Sequence, residues 1–135
     1  MASRLDHIIL NVNDRGKSVE FYTRILGFTH AGEREGTPFS VIKVGPDFML
    51  QLAPFGTRGG EHLAFSMSRQ EFDQTLQRVR DAGLGYGDSF DTVGNMRGPG
   101  DSGGARGACK SVYFFDPNRH LIEIAYYQSA RSMDE

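Results

Sequence analysis

The chain repeats itself. Leu5-Asp6-His7-Ile8-Ile9-Leu10-Asn11-Val12 and Gly60-Glu61-His62-Leu63-Ala64-Phe65-Ser66-Met67 each run acid, histidine, then mostly apolar residues of the strand-forming kind. Each is followed by a stripe at helical spacing. The first stripe lies in Arg15 to Leu26, with Val19, Tyr22 and Ile25 or Leu26, and stops at Gly27. The second lies in Arg69 to Ala82, with Phe72, Leu76 and Val79, and stops at Gly83; Ser68 with Glu71 three positions on supplies a capping box at its start. Each helix then gives way to strand, turn and strand: Phe39 to Val44, Gly45-Pro46-Asp47 and Phe48 to Ala53, matched by Lys110 to Phe115, Asp116-Pro117-Asn118-Arg119 and His120 to Tyr127. With one further strand in each half, the pattern predicts an α+β fold of two βαβββ modules, about residues 4–55 and 60–127. Both belong to a single domain covering 1–135. Gly56-Thr57-Arg58-Gly59-Gly60 reads as a flexible link, and 128–135 as a frayed tail.

Length and charge narrow the classes of function. At 135 residues the chain is of ordinary one-domain size. A net charge of −2 gives no concentrated basic surface, which argues against a nucleic-acid partner. No run of apolar residues is long enough for a membrane span, and the N-terminus carries no secretory pattern. Cys109 is the only cysteine, so an intrachain disulfide and a thiolate cluster are both excluded. A reducing, cytoplasmic setting is the expectation, and any metal must be bound by nitrogen and oxygen.

Strand periodicity then selects side chains. Alternate residues share a face, so His7 lies with Ile9 and Asn11, and His62 with Ala64 and Ser66. In the closing strands Gln51 lies with Met49 and Ala53, and Glu123 with Leu121 and Ala125. Modules packed about an approximate two-fold axis would bring His7, Gln51, His62 and Glu123 together. Two imidazoles and a carboxylate form a facial set with positions left open for water, oxygen or substrate, and the Gln51 amide oxygen would be a weaker fourth ligand. A strand histidine taken singly is more often a hydrogen-bonded core residue. The matched placement, and the need of a buried Glu123 for a positive partner, favour ligation.

These residues resemble the vicinal oxygen chelate superfamily, which includes glyoxalase I, extradiol dioxygenases, methylmalonyl-CoA epimerase, fosfomycin-resistance enzymes and bleomycin-binding proteins. The likeness is carried by Leu5-Asp6-His7 with Phe21-Tyr22-Thr23-Arg24-Ile25-Leu26-Gly27-Phe28, by Glu61-His62-Leu63-Ala64-Phe65, and by Phe115-Asp116-Pro117-Asn118-Arg119-His120-Leu121-Ile122-Glu123. It covers nearly the whole chain. It implies paired cup-shaped mixed sheets with helices outside, a homodimer, and a divalent metal (Fe, Mn, Ni, Co or Zn) on His7, His62 and Glu123. The implied activity is a glyoxalase-like lyase or isomerase that stabilises an oxyanion or enolate of a small oxygenated substrate. An extradiol-type dioxygenase, a fosfomycin-resistance-like enzyme and a metal-free, bleomycin-resistance-like binding protein are the alternatives. Glyoxalase I usually has a carboxylate where this chain has Gln51. Fosfomycin-resistance enzymes use His, His and Glu, and Tyr113 matches a substrate-contacting tyrosine of theirs; Ile9, however, stands where their thiol-transferring branch often has a hydroxyl.

Among the remaining features, Gly94 to Gly107 is too glycine-rich for a strand or helix and reads as a mobile loop. It lacks the spacing of a phosphate-cradling loop. Two readings stand for it: a lid whose Arg97 or Arg106 meets an anionic substrate, or a plain solvent-exposed connection. Tyr113 can either hydrogen-bond a substrate oxygen or pack in the sheet, which makes it, with Glu123, a catalytic candidate. His120 alternates away from Glu123 and is not expected to be a ligand; His30 reads as surface.

Overall fold

The computed structural model describes residues 2–128, so nearly all of the expected tail lies outside the described residues. The chain divides at Gly59–Gly60 into two compact units. The first contains β1 (His7–Asn11), α1 (Arg15–Glu20), β2 (Thr29–Glu33), β3 (Ser40–Lys43) and β4 (Met49–Ala53). The second contains β5 (His62–Ser66), α2 (Arg69–Asp81), β6 (Tyr86–Gly87), β7 (Gly100–Gly104), β8 (Gly107–Phe115) and β9 (Leu121–Tyr127).

The sheets share a strand order, the second with one strand more. The first has the order β1-β4-β3-β2, the second β5-β9-β8-β6 with β7 paired to β8. In both, the opening strand runs parallel to the closing one, because the helix between them carries the chain back, and the other neighbours are antiparallel. This is the expected α+β arrangement of two mixed sheets.

Period-2 alternation sorts each sheet into a core face and a second face. In the first unit Leu10, Val12, Ile42, Leu50 and Leu52 are buried, with Tyr22 and Leu26. In the second, Phe65, Val112, Phe114, Ile122 and Ile124 are buried, with Phe72, Leu76 and Val79 of α2. The Phe72 ring meets Tyr126 of β9 edge to face, centroids 4.8 Å apart. Because Phe72 is fully buried, Phe72→Ala is expected to destabilise the protein by about 3–5 kcal/mol in a urea denaturation series.

The helix ends follow the sequence signals. Ser68 accepts from the Glu71 backbone N–H, and the Gly83 stop, at φ 69°, closes with Leu84 N–H on Val79 O. Asp14 caps α1 through the Lys17 N–H. The first helix departs from the expected single run to Leu26: after Glu20 it widens into a π-helical turn, Phe21–Ile25, with Leu26 N–H reaching Phe21 O at 3.4 Å. Consecutive Phe21 and Tyr22 are both buried there, their rings in edge contact.

Two sequence expectations are corrected. The glycine-rich stretch is not wholly loop, since Gly100–Gly104 forms β7 and makes a hairpin with β8. Glycine is used there for close approach: a Cβ at Gly100 would collide with the Asp88 carbonyl, and one at Gly104 with the Tyr127 hydroxyl. The ladder bonds offset the low strand propensity. The link before Gly60 is also tied down, by Gly56 N–H on Val12 O and Thr57 N–H on the Asn13 side chain. No helix among the described residues is long and apolar enough to cross a membrane.

Candidate metal centre

In the second unit the sheet face away from α2 carries His62, Ala64 and Ser66 from β5, with Glu123 and Ala125 from β9 and Cys109, Ser111 and Tyr113 from β8, the last five all buried. Register explains how His62 meets Glu123. Ala64 is the direct partner of Glu123, and His62, two residues earlier, is its diagonal neighbour. The small Ala64 leaves room for both side chains to close over it. His62 Nε2 lies 2.9 Å from Glu123 Oε1.

The carboxylate is held at its other oxygen too. Ser111 Oγ donates to Glu123 Oε2 at 2.7 Å, and Cys109 Sγ lies 3.6 Å from Ser111 Oγ. Glu123 is 7% exposed, so it is a buried anion aimed by two partners. Tyr113, directly across from Glu123, shares a 3.0 Å hydrogen bond with Ser102 of β7, and its ring centroid is 6.2 Å from that of His62. Burial first, and then the negative charge of Glu123, hold the Tyr113 phenol above its ordinary range, while the Ser102 bond pulls the other way. Tyr113 therefore stays a hydrogen-bond donor at neutral pH.

The sign of that shift sets a pH dependence. A phenol whose folded pKa is raised contributes stability that is complete below the unfolded value of about 10 and is lost as pH rises through the folded value. An ultraviolet difference titration of wild type against Tyr113→Phe is expected to assign one tyrosine ionising above that value. Ionisation at or below it would contradict the burial argument.

A cavity of about 310 Å³ runs along this face, lined in part by Ser66, Gly103, Arg106, Cys109, Glu123 and Tyr127. The volume suits a small ligand. Arg106 sits in the β7–β8 turn, its backbone N–H donating to the Tyr127 hydroxyl at 3.2 Å. Arg97 is placed elsewhere, exposed and within electrostatic reach of Asp88; of the sequence candidates in this unit, Arg106 and Glu123 line the cavity, and His62, Tyr113 and Arg97 do not.

The first unit repeats the register with different chemistry. Ile9 is the partner of Gln51, so His7 stands to Gln51 as His62 stands to Glu123. Gln51 Oε1 accepts from Arg34 Nη1 at 3.4 Å, a long bond. His7 Nδ1 meets the Asp6 carboxylate at 2.6 Å, a contact that orients the ring. Among the described residues no three His, Cys, Asp or Glu side chains gather at one point. His62 and Glu123 are the candidates the structure joins.

The donor pair fits a divalent ion. An imidazole nitrogen and a carboxylate oxygen are donors such an ion takes, and the hydrogen bond that now joins them would open to admit it. Ser111 then acts as the partner that orients the carboxylate. Ser111 and Ser102 were not singled out from the sequence, although the alternation Cys109, Ser111, Tyr113 puts Ser111 on the face of Tyr113.

Fold and site together define a duplicated βαβββ protein whose second half presets an imidazole–carboxylate pair beside a cavity. The chain belongs to the Glyoxalase/Bleomycin resistance protein/Dioxygenase superfamily, whose model matches residues 4–124. It is similar to the glutathione transferase FosA of Serratia marcescens, 30% identical over 92% of this chain and 81% of that one. It is also similar to virulence protein STM3117 of Salmonella typhimurium, 28% identical over 92% of this chain and 84% of the relative. Among solved structures, oxidase ChaP-H1 is 29% identical with a TM-score of 0.75, covering 96% of this chain and 100% of that one.

Proposed function

We propose that this superfamily enzyme is divalent-metal-dependent and stabilises an oxyanion or enolate of a small oxygenated substrate, as a glyoxalase-like lyase or isomerase. The observation that carries the reading is the buried Glu123 carboxylate, fixed by Ser111 and set 2.9 Å from His62 Nε2. His7, His62 and Glu123 are the proposed ligands, with Gln51 as a fourth. When bound, the ion supplies Lewis-acid polarisation of a substrate oxygen. The chain's own groups do the rest. Tyr113 donates a hydrogen bond to the oxygen on which charge develops, Ser102 keeps that phenol aimed, and Arg106 at the cavity meets an anionic group of the substrate. Ser111 holds the Glu123 carboxylate in place before substrate arrives.

A second reading is an extradiol-type dioxygenase, whose oxygen dependence alone gains support from the similarity to oxidase ChaP-H1. It calls for Fe²⁺ and oxygen uptake. Thiol addition joins the assays because of FosA. Calorimetric titration with Mn²⁺, Ni²⁺, Co²⁺, Zn²⁺ and anaerobic Fe²⁺ tests the common premise: wild type takes up one ion per chain and His62→Ala does not. Absence of stoichiometric binding for every ion would sink the metal-dependent reading. Oxygen consumption, hemithioacetal isomerisation and thiol addition to fosfomycin then separate the reactions.

A further inference from the structure

We propose that the turn from Asp116 to His120 is a register latch that aims His62 at Glu123, with His120 as its positioning residue. The inference deepens the metal-site reading and rests on it for its meaning. Three polar residues of the turn are buried, Asp116 at 4% exposure, Asn118 at 2% and His120 at 1%, while Pro117 and Arg119 between them are exposed. Burying so many polar groups costs free energy unless each is bonded. Asp116 meets that cost inside the turn. Its Oδ1 accepts from the backbone N–H of Asn118 at 2.8 Å and of His120 at 2.9 Å, and its Oδ2 from the Asn118 amide at 3.1 Å. Asp116 N–H also reaches His120 O at 3.0 Å.

The closed turn then grips the strand that carries His62. Arg119 O accepts from Gly60 N–H at 3.3 Å, His120 Nδ1 accepts from Glu61 N–H at 3.3 Å, and Leu121 N–H donates to Glu61 O at 2.8 Å. His62 is the next residue along. β5 and β9 are parallel and therefore have no hairpin turn between them to fix their register. A one-residue slip would move His62 to the opposite face. Grips at positions 60 and 61 oppose that slip within two residues of His62.

The first unit serves as an internal comparison. There Met49 N–H donates to Asp6 O at 3.1 Å, the counterpart of the Leu121–Glu61 bond. The counterpart of His120 is Phe48, whose ring offers no acceptor. The side-chain grip thus belongs to the half with the preset histidine–carboxylate pair.

The test uses the full-length protein and three variants. In His120→Asn, Oδ1 sits as far along the side chain as Nδ1 and can accept from Glu61 N–H; in His120→Gln the acceptor is displaced by one methylene; in His120→Phe it is gone. Two readouts are compared: Mn²⁺ affinity by calorimetry, and the tautomer of the His62 ring by nitrogen–proton correlation spectroscopy on metal-free protein. The expected result for His120→Phe and His120→Gln is at least about tenfold weaker binding and an averaged His62 tautomer, with both restored in His120→Asn. Folded His120→Gln or His120→Phe with wild-type affinity and an unchanged His62 signal would overturn the latch. If His120→Phe does not fold, the contrast between Asn and Gln decides. If wild type binds none of Mn²⁺, Ni²⁺, Co²⁺, Zn²⁺ and Fe²⁺, the metal reading has failed, while the His62 signal in the metal-free variants still decides the latch.

Discussion

Glu123→Gln is expected to remove stoichiometric divalent-metal binding, with a loss larger than the roughly 10–100-fold that accompanies loss of an outer-shell partner. The substitution keeps the side chain's shape and an acceptor for the Ser111 hydroxyl, so the fold is retained. What it removes is the negative charge and one of two donor oxygens at a position 2.9 Å from His62 Nε2. Ser111→Ala is the graded control, since it takes away only the 2.7 Å bond to Oε2 and belongs in the 10–100-fold range. Calorimetry on the three proteins, with thermal melts alongside, reads the order wild type, Ser111→Ala, Glu123→Gln. Equal affinities in all three would remove Glu123 from the site.

Tyr113→Phe is expected to lower kcat by about 10²–10³-fold with little change in KM, the signature of a donor that acts on charge developing in the transition state. Phenylalanine retains the ring beside His62 and deletes only the hydroxyl shared with Ser102. The measurement is made on whichever of hemithioacetal isomerisation, oxygen uptake or thiol addition the wild type turns over. A rise in KM with kcat unchanged would make Tyr113 a substrate-binding group only. No change in either would leave it a packing residue of β8.

The repeat made most of this fold legible from sequence. The matched acid–His strands, the Gly27 and Gly83 stops and the paired proline turns all report local physics, and the two sheets follow with the same strand order. Other features depend on what the chain meets after folding. Nothing in Gly100–Gly104 signals a strand, since its pairing with β8 and its close approach to Asp88 and Tyr127 are tertiary facts. The π-helical widening at Phe21 likewise leaves no local mark.

At the site, alternation placed His62 and Glu123 on one face and so made their meeting predictable. Ser111 escaped notice because a serine in a strand is unremarkable until the carboxylate it holds is known. Arg97 and Arg106 looked equivalent in a glycine-rich run. The β7–β8 hairpin separates them, leaving Arg106 at the cavity and Arg97 beside Asp88.

The account turns on His62 and Glu123 forming one metal site, and anomalous scattering from a crystal equilibrated with Mn²⁺ tests that most directly. The expected result is a single strong peak bonded to both His62 Nε2 and a Glu123 carboxylate oxygen, at about 2.0–2.2 Å from each. A peak elsewhere, with His62 and Glu123 still bonded directly to each other, would contradict it.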